Sequence, residues 1–158
     1  MDSLYNINDR GVPNIPLLVA YLLIPEGLLE VVFFVGVPWV IEIKISKKIE
    51  SRNFYDSKHW SVKHKDRKQF ESQIVKQLLL NYSHKERQAA QKRVKRSVTI
   101  HSQRSRLLDY TNLVGGCKQL EDALVSLGLL VDDKPAWVED LKVTQATGKP
   151  YFTEIIIE

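Results

Sequence analysis

Three carboxylates, Asp109, Asp132 and Asp133, stand at the two ends of the stretch Leu108 to Asp133, which reads LDYTNLVGGCKQLEDALVSLGLLVDD. Acids of this kind serve phosphodiester hydrolysis, because a divalent cation held by hard oxygen ligands acidifies the attacking water and neutralises charge on the phosphate. Acids so far apart in sequence are equally compatible with solvent-exposed turns, so the intervening element decides whether they can act together. Leu113, Cys117, Leu120, Leu124 and Leu127 step by four, three, four and three, the stripe of an amphipathic helix. Gly128 ends it, since a residue without a Cβ takes the left-handed conformation of a C-terminal cap. Asp109 falls near the helix start, and the short apolar run Leu129 to Val131 is placed to bring Asp132 and Asp133 back beside it.

Other chemistries find little support. His59, His64, His84 and His101 show no zinc-ligand spacing, and one cysteine cannot make a Cys-rich site. No phosphate-loop signature occurs. Cys117 lies on the apolar stripe and reads as a packed core thiol, not an accessible nucleophile.

The elements that must position these residues follow from periodicity. Val37, Trp39, Ile41, Ile43 and Ile45 alternate as a half-buried strand, with Pro38 implying an edge or an irregular beginning. Ser46 to Asp66 is basic, contains Phe54, Tyr55 and Trp60, keeps no period and reads as a loop; its aromatics either stack on bases or anchor the loop to the core. Phe70, Ile74, Val75, Leu78, Leu79 and Tyr82 predict a helix over Asp66 to Asn81, and Ser83 with Glu86 has the spacing of a capping box for a short polar helix. Val94, Val98 and Ile100 mark a second strand, followed by a basic loop from Gln103 to Arg106. Trp137, Leu141 and Val143 mark a third, and Tyr151 to Ile157 a fourth after the turn residues Thr147 to Pro150. The expected class is α+β (α/β): a small mixed sheet packed against two main helices.

At 158 residues the chain fits one domain able to bury about two thirds of its unfolded surface. Its net charge of +4 conceals an asymmetry. Residues 1–43 hold one basic and five acidic side chains, residues 44–106 eighteen and five, and residues 107–158 four and nine. A basic middle of this kind suits a polyanionic partner or a well-solvated surface, and the acidic end suits bound cations. LLVAYLLI and VVFF near the N-terminus are strongly apolar but broken by Pro25, Glu26, Gly27 and Glu30, short of the roughly 18 residues of a membrane span. The acidic opening MDSLYNINDR is unlike a secretory signal, and a single cysteine is compatible with a reducing cytosol. Residues 1–35 are read as packing on the core or as an extension that the core does not require, with interfacial membrane contact the third reading.

Taken in order, Asp109, Asn112, Leu113, Lys118, Asp122, Ala123, Leu124, Gly128, Asp132 and Asp133 resemble the signature of the RusA family of Holliday-junction resolvases, small homodimeric endodeoxyribonucleases common in phages and prophages. From Lys118 onwards the spacing agrees without a gap. Between Asn112 and Lys118, the residues Leu113, Val114, Gly115, Gly116 and Cys117 give a Gly-Gly form similar to phage-type members. The strand order around the helix, the basic run before it and a final hairpin also look like the family's arrangement. Coverage is about residues 37–158, which leaves a RusA-like domain over 36–158 and an apolar extension over 1–35.

The resemblance implies a Mg²⁺-dependent endonuclease, with Mn²⁺ able to substitute, that binds four-way DNA as a homodimer and nicks two opposed strands during recombination and repair. It implies a cytoplasmic protein with no membrane contact and no small-molecule cofactor. By position, Asp109 and Asp133 are its catalytic, metal-binding carboxylates, Asp132 and Thr111 neighbouring ligands, and Lys118 the cation beside the scissile phosphate. Lys92, Arg93, Lys95, Arg96, Arg104, Arg106 and Asn112 are the expected DNA contacts. Lys118 also has the spacing of an i,i+4 surface pair with Asp122, and Gly115 with Gly116 suits either close approach of a phosphate or partner subunit, or close packing of helix on sheet. One position departs from the pattern: the family's second aspartate, two residues after the first, is Thr111 here. In an extended segment Thr111 would point to the same side as Asp109, so the site loses a negative charge facing the metals. Weaker metal binding, rescue by Asp132 or a water, and junction binding without cutting are the three consequences.

Overall fold

A computed structural model describes residues 40–158 in full and, before them, the backbone of residues 19–24 and 27–32. The chain divides into two compact units, Met1–Pro38 and Trp39–Glu158. In the first, β1 (Val19–Ile24) and β2 (Gly27–Val32) pair antiparallel, with Val19 opposite Val32. β1 falls in the apolar run LLVAYLLI, whereas β2 takes in the interrupting Gly27 and Glu30 before it reaches Val31 and Val32. Packing of this segment on the core, and the expected strand residues Val37 to Trp39, lie outside the described residues.

The second unit runs β3 (Ile41–Ile45), α1 (Arg52–Asp56), α2 (Trp60–Asn81), α3 (His84–Ala90), β4 (Arg96–Arg104), α4 (Tyr110–Gly116), α5 (Lys118–Ser126), β5 (Val138–Thr147) and β6 (Phe152–Ile157). Its sheet has the order β3-β6-β4-β5. β6 is antiparallel to both β3 and β4, whereas β5 is parallel to β4, reached through the α4–α5 crossover that a parallel pair requires. The class is α+β. Ile43, Ile155, Ile100 and Val143 form one row across the buried face, each opposite the next. Phe70, Ile74 and Leu78 of α2 and Leu113, Leu120 and Leu124 of α4 and α5 cover it. Burial of each such side chain is worth about 1.5–3 kcal/mol.

Three expectations need correction. Residues 46–66 are not a loop, because α1 begins behind the Ser51 cap (Phe54 N–H to Ser51 Oγ, 3.1 Å) and α2 starts at Trp60 behind His59. The first turns of α2 are Lys- and Arg-rich and bury no residue, so no apolar period announces them. Second, the helix expected after Asp109 is two helices. Cys117 N–H bonds back three residues to Val114 O (3.0 Å), a tighter turn than the α-helical step, and separates α4 from α5 while keeping Leu113, Cys117, Leu120 and Leu124 buried. Third, β5 and β6 form no hairpin, since β4 lies between them. The connecting turn crosses the end of β4 at close range: Gly148 N–H donates to Arg104 O (2.9 Å), and a Cβ on Gly148 would lie 2.9 Å from Gln103 Cδ. Other expectations agree with the structure. Ser83 and Glu86 form the capping box of α3, and Gly128 has a φ of +72° at the end of α5.

The Gly-Gly pair is explained by packing. A Cβ on Gly116 would fall 1.9 Å from Glu50 O, a backbone atom, whereas one on Gly115 would meet the side chain of Arg52, 2.7 Å from Cδ. Gly116→Ala should therefore destabilise the fold by about 3 kcal/mol or more, at or above the usual overpacking range, and Gly115→Ala by less, because Arg52 Cδ and Cγ can rotate away and only its Cβ, at 2.9 Å, requires a shift of the α1 backbone. Urea midpoints of the two variants check this. Cys117 is fully buried, donates from Sγ to Leu113 O (3.4 Å), and burial, with Glu121 nearby, pushes its thiol up to about 12. Its neutral form is the folded form, so its contribution to stability is complete below the unfolded thiol value of about 8.5 and is lost as pH rises towards 12. Its modification by a thiol reagent near pH 8 should follow the unfolding rate; rapid labelling of the native protein would contradict the packing.

Candidate functional site

The candidate residues separate into two groups along the broken helix. Asp109 is the N-cap of α4: its Oδ1 accepts from Asn112 N–H (2.9 Å) and its Oδ2 from Asn112 Nδ2 (2.5 Å). These two bonds, the side-chain one first, hold its carboxyl below the usual aspartate range although it is exposed. The loop before it is fixed by Gln145 of β5, which accepts from Leu108 N–H (3.0 Å) and donates to Leu108 O (2.6 Å). Asn112 in turn accepts from Asn53 N–H of α1 (3.2 Å) through Oδ1. Thr111 lies exposed in the first turn of α4. The extended geometry that would have put Asp109 and Thr111 on one side is thus replaced by a helix start, with only Asp109 extended.

The second group surrounds Lys118, the first residue of α5. Its ammonium donates to Asp122 Oδ1 (2.9 Å) and to Asp133 Oδ2. Gly128 and the buried Leu129 and Leu130 turn the chain back, so Asp133 does return beside the helix, across fifteen residues from Lys118. Burial alone would lower the Lys118 pKa, but the bonds to Asp133 and Asp122 together outweigh it and raise it. Lys118 is therefore both the i,i+4 partner of Asp122 and the anchor of Asp133. Asp132 turns the other way, accepting from Asp133 N–H (2.8 Å) and from Lys134 (2.8 Å), and these bonds lower its pKa.

Glu121 is the site residue that sequence reasoning passed over. Burial raises its pKa, Lys118 opposes the shift, and the charges of Asp133 and Asp122 reinforce it. Its spacing, i,i+3 from Lys118 and adjacent to Asp122, was the available signal. Asp133 stands between two clefts. One, of about 240 Å³, has an apolar floor of Leu130, Val138 and Leu141 with Glu121 at its side. The other, of about 350 Å³, is polar and includes Arg67, Asp122 and Asp132.

The donors present, carboxylate oxygens, are those a hard divalent cation takes. Their arrangement is less favourable. Among the described residues no group of three or more His, Cys, Asp or Glu is gathered so as to hold a metal ion, and no hydrogen bond or ion pair joins Asp109 to the Lys118 cluster. Lys118 itself bridges Asp122 and Asp133.

The expected DNA contacts also divide. Lys92, Arg93, Lys95 and Arg106 are exposed, with Arg93 over the Trp137 ring at 5.8 Å. Arg96 and Arg104, only 5 % and 7 % exposed, are not on that surface. Arg96 Nη2 donates to Ala90 O (3.3 Å), while Arg104 donates to Ile49 O (3.1 Å) and Arg106 O (2.8 Å). Burial lowers the pKa of both. Arg96 ties the end of α3 to the sheet, and Arg104 ties the loops at Ile49 and Arg106 to it. Among the described residues no helix is long and apolar enough to cross a membrane. Comparison with protein-family models finds no match, and no curated protein is significantly similar to the chain.

Proposed function

We propose that the protein is a RusA-like, structure-specific endodeoxyribonuclease that resolves four-way DNA junctions by metal-dependent phosphodiester hydrolysis, acting as a homodimer in the cytoplasm. The observation that carries the reading is the meeting of Lys118 with Asp133 across fifteen residues, because two of the three residues the signature makes essential then share one place. The exposed basic side chains Lys92, Arg93, Lys95 and Arg106 give that surface a sequence-independent attraction for phosphates, which recognises shape and charge more than bases.

Lys118 performs the part of the chemistry that belongs to the chain itself. Its raised pKa keeps the ammonium charged through neutral pH, and a phosphate oxygen entering beside it replaces one of two carboxylate partners. Charge that develops on the phosphate is then stabilised by a cation already in position. Asp109 and Asp133, with Asp132 and Thr111, are the residues that would hold Mg²⁺ or Mn²⁺; when bound, such an ion acidifies water and neutralises phosphate charge. Asp133, whose carboxylate faces both clefts, is the group through which ion and lysine would compete or cooperate.

A second reading, junction binding without cleavage, is favoured by Thr111 and by the separation of Asp109 from the Lys118 cluster.

A synthetic four-way junction with Mg²⁺ should be nicked symmetrically, and a chelator should stop the reaction. Asp133→Asn and Lys118→Ala should each lower kcat by about 10²–10³-fold while junction affinity is kept. Asp109→Asn keeps a good N-cap oxygen, so an unchanged melting temperature with lost cleavage assigns Asp109 a role in the chemistry beyond the cap. Equal cutting of linear duplex would remove the junction specificity. If salt-sensitive junction binding comes with no product at any Mn²⁺ concentration, and Thr111→Asp restores cutting, the second reading holds.

A further inference from the structure

The first ten residues of α2 place nothing in the core. The buried side chains of this helix begin at Phe70, so residues 60–69, about 15 Å of helix, serve no packing need of the sheet. The segment is nonetheless held firmly. Asp66 accepts from Lys47 Nζ (2.5 Å) and from the hydroxyl of Tyr55, which is 4 % exposed. Of the three aromatics in this basic region, Tyr55 is thus the anchor. Trp60 is the opposite case: it is 69 % exposed at the start of α2, with the rings of His59 and His64 at 5.6 and 6.3 Å.

Beside this helix lies an open cleft of about 710 Å³. Lys65 and Lys68 line it from α2, Lys47 and Lys48 from the segment after β3, and Tyr151 from the turn before β6. Residues 44–68 hold nine basic and three acidic side chains. Lys47 stays with Asp66 and Gln69 and is a positioning group. Lys48 makes a partly exposed pair with Glu50, of the weak kind that exchanges readily for phosphate; Lys68, itself half exposed, pairs with Glu71, a buried carboxylate that Arg67 also reaches (3.5 Å), and Lys65 is in no ion pair among the described residues. Trp60, His64 and Lys68 follow one another at i, i+4 and i+8, so the exposed indole and the cleft share a ridge.

We propose that the N-terminal half of α2 and this cleft bind an unpaired DNA strand, with Trp60 stacked on a base and Lys48, Lys65 and Lys68 on the phosphates that follow. An exposed indole beside a row of cations suits a base with its phosphates: every base offers a π-face, and the strand supplies the negative charge. An acidic protein segment would use the cations and leave the indole idle. The cleft shares no lining residue with the two clefts at Asp133, although Arg67 on the same half of α2 lines one of those; only the choice of DNA over RNA rests on the nuclease reading.

Fluorescence anisotropy with a labelled single-stranded oligodeoxynucleotide and with a duplex of equal length tests it on the full chain. Trp60→Ala should weaken single-strand binding about tenfold, Trp60→Phe should restore most of it, and duplex binding should stay within about twofold. Lys65→Gln combined with Lys68→Gln should reduce the dependence of log affinity on log salt by about 1.4 for the single strand. Because Trp60 is exposed, an unchanged circular-dichroism melting curve is expected for its variants. Single-strand affinity unaltered by Trp60→Ala overturns the proposal, as does equal competition by poly-glutamate at matched charge. Failure of the junction cleavage assay with these results intact removes the nuclease reading and leaves this surface; cleavage with no effect of Trp60→Ala does the reverse.

Discussion

The seat of α4 on the backbone at Glu50 is the constraint on which the rest of the larger unit depends. No side chain fits between Gly116 and Glu50 O, so the helix and the segment that follows β3 are fixed at contact distance. That segment is fixed in its turn from the sheet: Arg104 donates to Ile49 O (3.1 Å), and Thr153 Oγ1 donates to Lys47 O (2.5 Å). Sheet, loop and helix are therefore joined through carbonyl groups, which do not tolerate rotamer changes the way side-chain contacts do. A loss of that contact would move Asp109 at one end of α4 and Lys118 just past the other.

The break at Cys117 converts this constraint into a functional geometry. A continuous helix from Asp109 to Leu127 would carry Lys118 nine residues, about 13 Å, from the cap along one straight axis. Cys117 itself keeps right-handed helical dihedrals, so the break is one tightened turn, and the first residue of α5 receives Asp133 from the returning chain. The result is a cation held between two carboxylates, with Glu121 made less acidic by burial beside them. Removing the lysine would leave two like charges facing each other, which is the condition under which a divalent cation becomes the favourable replacement.

Much of this was legible in the sequence because it follows from periodicity. The Ile41, Ile43 and Ile45 alternation, the Leu113 to Leu124 stripe, the Ser83 capping box and the left-handed Gly128 are local rules that the structure obeys. What local rules could not supply was neighbourhood. The sequence neighbours β5 and β6 read as a hairpin, but the insertion of β4 between them is decided by long-range pairing, which leaves no mark in either strand. The first six residues of α2, Trp60 to Lys65, went unread for a different reason: they are helical by propensity and capping while burying nothing, so there was no apolar period to find. Glu121 was missed because a partly buried carboxylate looks like any surface acid until its surroundings are known.

The same gap between count and place governs the electrostatics. The eighteen basic residues of the middle third suggest one continuous positive field, yet the guanidinium groups of Arg96 and Arg104 are turned inward onto carbonyls. What remains exposed includes two groups remote in sequence, Lys92 to Lys95 before β4 and the α2 ridge with its cleft. A linear strand of DNA presents phosphates at a steady pitch and would need only one such patch. A base with its phosphates asks for a ring face and cations together, and of the two patches only the α2 ridge, with the exposed indole of Trp60, offers both.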